Sequence, residues 1–510
     1  MNSRVRTILI VLIAVACSYI AIRQVLKYKL NDLLKEQEKY GIHIAHDHID
    51  LNLLNGSASF KNPEVQITKQ TNIGFVGDMT LKNFKINDIH YLEFLLTGNI
   101  DIKSVSLDKL QAAFKTALVD SIEIDDTTPR KKLGLAIILK DLVLTESNIT
   151  VQDGQTDSLL LSLSNFNLDV SDIEVSDRTI ANSIPFIGSD YLISSDTIFV
   201  KATKMEDLFI AKINGDHNYT SLSGITYKTG LSKTDFDASL TKEKDRYSIS
   251  IDSLQFQNLG LQSGVGDQIS VSAQKISLVH PSVSIYRNKL LPDDTREKPM
   301  YSQLLRNSPL QTQIDTFQLK KASFTYIEKS KPENAGGKLE FSDLNMDILN
   351  LGNSDTTSTT MHLTALFMKT APFEADWKFN VSDPNDAFTY KGALRGLNLS
   401  ELNKFTEPYS NTSLEGSIHE LYFNIYGNSV TSKIDIKSNY ENVNVYLLKP
   451  DTHKRKKIVS ALVNILVSSS SSKRNNQFNS TTVEVRRDNS KSFWSYIVKN
   501  IEAGMKKLLL

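Results

Sequence analysis

From Gly41 onward the chain alternates apolar and polar residues with a period of two, and that alternation limits what it can become more than any other feature. Ile49, Leu51 and Leu53 flank Asp50 and Asn52. Phe166, Leu168 and Val170 flank Asn167 and Asp169. Ala375, Trp377, Phe379 and Val381 flank Asp376, Lys378 and Asn380, and the same grammar returns at Leu421, Phe423 and Ile425 and at Val443, Val445 and Leu447. Successive side chains of a strand point to opposite faces, so these runs describe sheet with one apolar and one wet face. Turn signals punctuate them at Asn55-Gly56, Asp153-Gly154, Asn214-Gly215 and Gly336-Gly337.

Helical signals are sparse. Asp108 to Leu118 reads as a short helix or as strand continuing through Phe114, while Met300 to Arg306 and Ser400 to Phe405 read as single short helices. Such elements cannot cover the apolar face of the roughly 25 strands that residues 41–450 accommodate. Two solutions remain open: sheet packed on sheet as a sandwich or closed barrel, or a curled sheet whose apolar groove holds a ligand such as an acyl chain. Several hairpin-like segments resemble one another (IDLNLLNGSASFKNPEVQI, LKDLVLTESNITVQD), but no fixed repeat length emerges.

The N-terminus is different in kind. Thr7 to Ile22 is free of charge and contains Ile8, Leu9, Ile10, Leu12, Ile13, Ile20 and Ile22; with Val25 and Leu26 it approaches the roughly 20 residues of a bilayer-spanning helix. Three readings compete: an uncleaved signal anchor, a signal peptide cleaved after Ala14-Val15-Ala16, and a lipoprotein modified at Cys17. The apolar run continues past both cleavage positions into a helical pattern reaching Tyr40, which favours the anchor. Positive charge before the span (Arg4, Arg6) nearly balances that after it (Arg23, Lys27, Lys29), so charge alone does not orient it.

At the other end, Phe493, Trp494, Ile497 and Ile501 begin an amphipathic helix with Lys491, Lys499, Lys506 and Lys507 beside its apolar stripe. It either caps the open end of the β body or lies in a membrane interface. Ile458 to Val467 is too short to span a bilayer as a helix, and Ser468 to Ser480 is low complexity. Leu290 to Pro299, polar and twice interrupted by proline, reads as a linker.

Chemistry is hard to find. His43, His46 and His48 with Asp47 and Asp50 form the single histidine cluster, read as a metal site or as polar surface at a change of strand register. Phosphate loops, nucleophile elbows and metalloprotease helices are absent, and Asp125-Asp126 and Asp293-Asp294 sit in loop-like stretches. The sequence nominates no enzyme and no cofactor. The 58 basic and 58 acidic residues balance, which argues against nucleic acid. The lone cysteine lies in the N-terminal stretch and leaves the body without disulfides.

The order of these pieces resembles the AsmA-like family of bacterial envelope proteins, in its shorter Bacteroidetes-type form. The resemblance rests on the anchor and stalk followed by IDLNLLNGSASFKNPEVQI, on the run from Met361 through GLNLSELN, GSIHELYF and YENVNVYLL, and on the terminal SFWSYIVKNIEAGMKKLL. It covers both ends and is vague from about Ala112 to Leu310. It implies kinship with bridge-like lipid transporters: an N-terminal transmembrane helix, then a long curled antiparallel sheet forming an apolar groove, with few short helices and a C-terminal amphipathic helix. The implied regions are a cytoplasmic tail (1–6), the anchor (7–26), a helical stalk (27–40), an N-terminal β-groove region (41–299), a C-terminal AsmA-like β region (300–450) and a tail (451–510).

The implied role is envelope biogenesis, with the body in the periplasm, anchored in the inner membrane and assisting phospholipid transfer toward the outer membrane. Phospholipids, the inner membrane and outer-membrane or other envelope proteins are the implied partners. The alternatives are a membrane-tethered scaffold without lipid conduction and, more remotely, a tethered enzyme or adhesin. The candidate groove floor is taken from the alternating rows: Leu51, Leu53, Phe166, Leu168, Val170, Trp377, Phe379, Val381, Phe423, Ile425, Val443 and Val445.

Overall fold

The computed structural model describes residues 41–68, 75–88, 100–116, 137–175, 190–263, 269–353, 357–448, 455–457 and 478–509, with scattered positions from 16 to 38. The anchor residues Ile8, Leu9, Ile10, Leu12 and Ile13, the Asp125-Asp126 pair, and Ile458 to Val467 with most of the low-complexity run lie outside the described residues. The protein is mainly β and divides into two compact units. The first comprises Met1–Ala202, Phe209–Thr220 and Gln262–Gln268; the second comprises Thr203–Leu208, Ser221–Leu261 and Ile269–Leu510. The anticipated boundary at 299/300 falls inside the second unit.

The first unit opens with β1 (Ile42–Ala45), β2 (His48–Asn52), β3 (Ser57–Lys61), β4 (Glu64–Ile67), β5 (Phe75–Thr80) and β6 (Asn83–Asn87). Next come β7 (Ile100–Asp108), β8 (Gln111–Thr116), β9 (Ile137–Gln152), β10 (Leu159–Val175), β11 (Asp190–Ser195) and β12 (Thr197–Lys201). Segments β13 (Glu206–Asp216), β14 (Tyr219–Thr229) and β16 (Gly260–Ser263) contribute to both units, with β15 (Asp245–Gln257) and the helix α1 (Lys233–Ala238) in the second. The second unit continues with β17 (Ile269–Val279), β18 (Ser282–Asn288), α2 (Tyr301–Arg306), β19 (Gln311–Lys329), β20 (Gly337–Gly352), β21 (Thr359–Phe367), β22 (Ala371–Phe379) and β23 (Phe388–Asn398). A 3-10 turn (Leu399–Leu402), α3 (Asn403–Ser410), β24 (Thr412–Gly427), β25 (Thr431–Leu448), β26 (Arg455–Lys457), β27 (Asn479–Arg486) and α4 (Phe493–Leu509) complete it.

The expected antiparallel sheet is a mixed one. Most neighbours are antiparallel, but β7 and β8 run parallel to β9, and β17 and β18 run parallel to β19. Parallel neighbours need a connection of a dozen residues or more. The stretches 117–136 and 289–310 supply that length, whereas the hairpins elsewhere do not.

The strands of each unit are bent along a crease. In the first unit Asn62, Lys109, Glu146 and Asn165 all have positive φ, between 44° and 54°. They occupy matching heights: Asn62 N–H donates to the Lys82 carbonyl (3.1 Å), Lys82 N–H to Asp108 (3.0 Å) and Lys109 N–H to Thr145 (3.0 Å). Side chains complete the line, with Glu146 N–H donating to Asn167 Oδ1 (2.8 Å) and Asn165 Nδ2 to Asp196 Oδ2 (2.9 Å). In the second unit His280, Lys321 and Asp343 have positive φ in the same way, and Lys321 N–H donates to Asn345 Oδ1 (3.0 Å). A bulge bends its strand and shifts the side-chain alternation by one residue. The apolar positions shift with it: β9 presents Leu142 and Leu144 before Glu146 but Ile149 and Val151 after it. The apolar residues therefore stay on one side of the bend.

Several local expectations change. Asp108 to Leu118 is strand as far as Thr116, broken at Lys109, and carries no helix among its described residues. Asn214-Gly215 lies within β13, where Gly215 leaves room for the backbone of Thr220; the chain reverses at 217–218, stabilised by Asp216 Oδ1 accepting from Asn218 and Tyr219 N–H. The expected linker Leu290 to Pro299 is a fixed strap. Pro292 carbonyl accepts from Glu243 N–H (2.9 Å), Asp293 pairs with Lys289 (3.3 Å) and Lys491 (2.6 Å), and Lys298 N–H donates to the Asn489 carbonyl (2.8 Å). Its prolines and charges mark turns and ion pairs, which read as a linker in sequence.

Candidate functional site: the apolar rows and their polar rim

The cross-strand register assembles the alternating residues into rows. In the first unit Ile49 faces Phe60, then Phe84, Leu107, Leu144, Leu168 and Ile193, one residue from each of seven strands. A second row runs from Leu51 through Ala58, Ile86, Val105, Leu142 and Val170 to Tyr191. In the second unit a row crosses ten strands: Phe256, Ile276, Phe317, Ile348, Met361, Trp377, Tyr390, Ile425, Ile434 and Val483. Beside it, Phe423 lies over Gly392, where a Cβ would come within 2.2 Å of the ring. Cross-strand apolar pairs of this kind are the unit of sheet stability.

What covers the rows differs along each unit. At the start of the first, Leu26 packs on Ile49, Leu51, Ala58 and Phe60, with Leu34, Leu53 and Phe84 beside them. Arg23 pairs with Asp50 at 2.7 Å, and positions 19–28 are helical, so this helical stretch is docked on β2 and β3 through Leu26. Ile20 and Ile22 on the same stretch are exposed. Among the described residues no helix is long and apolar enough to cross a membrane. Further along, Leu107, Leu144, Leu163, Phe166, Leu168 and Ile193 are only half-buried, although Val170 is buried.

At the end of the second unit the rows are closed. Helix α4 lies against β24, β25 and β27 and inserts Phe493, Tyr496, Ile497 and Leu508, all at least nine-tenths buried. Phe493 stacks on Trp377 with centroids 4.7 Å apart and meets Phe388 edge-on at 5.1 Å. The α2 residue Tyr301 packs edge-on to both Trp377 and Phe493, and Arg306 ties α2 to the Val381 carbonyl and to Asp386. Asn500, fully buried, accepts from Ser432 Oγ (2.8 Å) and donates to the Tyr496 carbonyl (2.9 Å). Burying each large apolar side chain here contributes about 1.5–3 kcal/mol.

Six of the candidate floor residues therefore belong to a filled core: Trp377, Phe379, Val381, Phe423, Ile425 and Val443. Their alternation looked identical to that of an open face because the covering helix lies some fifty residues or more further along the chain. Val445 is half-buried, as are Phe166, Leu168 and Leu53. Of the terminal-helix candidates, Phe493 and Ile497 face the core and Ile501 packs at its edge, while Trp494 stays 42% exposed and bonds to Tyr301 Oη.

The histidine cluster does not converge. His46 meets the Phe60 ring edge-on, Asp47 holds Asn62, and Asp50 holds Arg23. Among the described residues no three His, Cys, Asp or Glu side chains are placed to hold a metal ion.

A polar feature that the sequence reading missed lies at the far end of β15 and β18. Ser239 to Asp245, Tyr247, Arg287 and the strap residues Asp294, Arg296 and Lys298 line a cleft of about 590 Å³. Arg287 Nε donates to Asp245 Oδ1 (2.7 Å), and Lys244 pairs with buried Glu206 (3.2 Å). Lys289 pairs with buried Glu243 (2.5 Å). Burial pushes the Tyr247 phenol up to about 12, aided by the Asp245 charge, so it remains a neutral donor. The Arg296 hydrogen bond holds Asp294 well below the usual carboxylate range. The signal that could have exposed this cleft is the basic run in TKEKDRY (241–247) facing TREK (295–298).

No family model and no curated protein matches this chain.

Proposed function

We propose that this protein is an AsmA-like envelope protein that binds phospholipid acyl chains along the apolar face of its bent sheet. In this reading it is anchored by its N-terminus in the inner membrane, with the body in the periplasm, and assists lipid transfer toward the outer membrane. One observation carries the proposal: apolar rows run unbroken from strand to strand in each unit, packed under Leu26 at the start of the first and under α4 at the end of the second, while several of their other residues, Leu107, Leu144, Leu168 and Ile193 among them, stay half-buried. A linear apolar surface of that kind suits a linear apolar ligand, and headgroups remain in water along the rim. Binding of this sort needs no catalytic residue.

Residues 41–510, purified without detergent and extracted with organic solvent, test the reading by mass spectrometry. Phospholipid at one or more molecules per chain supports it; lipid-free protein removes it. The filled core under α4 favours a second reading, a membrane-tethered scaffold whose sheets serve only to bury their own side chains. Lipid-free, fully folded protein is the result that scaffold expects.

A further inference from the structure

We infer that the cleft bounded by Lys242, Lys244, Arg287 and Lys298 is a binding site for a phosphate-bearing group. Strand register in the second unit leads to it. On one side of the sheet, Ile249 faces Val283, which faces Phe324; two residues along, Tyr247 faces Ile285, which faces Tyr326; two further, Arg287 lies between Asp245 and Glu328. The same strands thus pass from wholly apolar, through hydroxyl-bearing aromatic, to charged within four residues. That gradient matches an amphiphile whose tail lies on the sheet and whose anionic head reaches the strand ends.

The cleft's own chemistry favours an anion. Its lining holds five basic residues against Glu243, Asp245 and Asp294; Arg287, Arg296 and Lys244 are paired with Asp245, Asp294 and Glu206, and Glu243 with Lys289, so Lys242 and Lys298 supply the positive charge beyond these pairs. Arg287 uses Nε for Asp245, so the outer edge of its guanidinium remains as a fork for phosphate oxygens. The loop from Ser239 to Lys244 is held by Glu243 N–H on the Pro292 carbonyl, which fixes the two walls against each other.

The phosphate could belong to a lipid headgroup or be free in solution. The headgroup source rests on the lipid-binding reading above, whereas a free-phosphate site does not. Calorimetry on the full chain in amphipol separates them with three probes: dihexanoyl phosphatidic acid, dihexanoylglycerol, which has the same tails and no phosphate, and inorganic phosphate. The variant is Lys242→Glu with Lys298→Glu; Lys242→Gln with Lys298→Gln is the milder companion should charge reversal disturb folding. For a headgroup site, the natural chain binds the phosphatidic acid at least tenfold tighter than dihexanoylglycerol. The reversed chain loses that preference and keeps its dihexanoylglycerol affinity within twofold. Binding of inorganic phosphate that disappears in the variant, with no preference between the two lipids, supports the site with free phosphate as its ligand. Absence of dihexanoylglycerol binding counts against the acyl-chain reading and leaves the cleft standing on its phosphate result. If neither phosphate probe responds to the two lysines in either variant, the cleft is not a phosphate site.

Discussion

The strands under α4 and the strands of the first unit are written in the same alphabet and end in opposite states. Trp377, Phe379, Phe423 and Ile425 are packed to between 0% and 9% exposure, whereas Leu107, Leu144 and Leu168, which share one row of the first unit, are only half-buried. Period-two patterning establishes which side of a sheet is apolar; it does not establish what lies on that side. The difference comes from two helices, α2 and α4, that contribute Tyr301, Phe493, Tyr496 and Ile497 to one region alone. A filled core and a half-buried apolar face can thus share one sheet grammar.

Charge placed in the two regions should separate them most sharply. Ile425→Asp buries an unpaired carboxylate in a filled core and should cost more than about 4 kcal/mol or prevent folding of that region. Leu168→Asp should cost only about 1–2 kcal/mol, because a half-buried carboxylate keeps contact with water. Both tryptophans, Trp377 and Trp494, sit at the α4 end, so their fluorescence in a urea titration reports that region, while far-UV circular dichroism reports all the strands. Equal losses at the two positions would erase the distinction.

Packing of the helix itself comes next. Gly504 of α4 meets β25 so closely that a Cβ would lie 2.9 Å from Ile436 Cγ2. Gly504→Val should destabilise the tryptophan-reported transition by about 1–3 kcal/mol through overpacking. Asn500→Ala removes the nearer acceptor of the buried Ser432 hydroxyl, leaving it the Val485 carbonyl at 3.4 Å, and should cost about 1–2 kcal/mol. Neither change should move unfolding of the first unit, which urea titrations with both signals would check.

The crease offers a smaller test of the other region. Asn165 adopts φ 48° and bonds Asp196, and Asn tolerates that conformation better than most residues. Asn165→Ala should lose about 1–2 kcal/mol, whereas Asn165→Gly relieves the backbone and should lose less. If both are silent by circular dichroism, the bulge line does not hold the bend.

The smallest effect concerns pH. Lys491 and Lys289 hold Asp293 below its ordinary range. A depressed folded-state carboxylate contributes stability that is present above its unfolded value near 3.8 and is lost as pH falls through the lower folded value. The pair is half-exposed, so solvent screening keeps the contribution below about 1 kcal/mol. Asp293→Asn should therefore lower the tryptophan-reported midpoint slightly at neutral pH, and by progressively less as pH falls below the unfolded value near 3.8.

Much of the architecture is legible in the sequence. The alternation at Ile49–Leu51 and at Trp377–Phe379 located strands and their apolar side, and the Phe493, Ile497 and Ile501 spacing located the terminal helix with the face it buries. Legibility failed where partners distant in sequence decide the outcome. Asn214-Gly215 looked like a turn but sits in a strand, because close approach to Thr220 demanded the glycine. Leu290 to Pro299 looked like a linker but is pinned by Lys491 and Asn489, nearly two hundred residues away. The polar cleft went unseen because Arg287 and Asp245 meet only through strand pairing.

Sequence by itself determined strand character, the sidedness of each strand and the amphipathic terminal helix, since all three follow from side-chain periodicity along a local backbone. Tertiary structure alone decided the parallel pairings, the line of bulges that bends the sheets and the stretch of apolar row that α4 seals. Those outcomes depend on long connections, on backbone conformations at single residues and on helices arriving from far along the chain, and no local pattern encodes the meeting of surfaces that lie hundreds of residues apart.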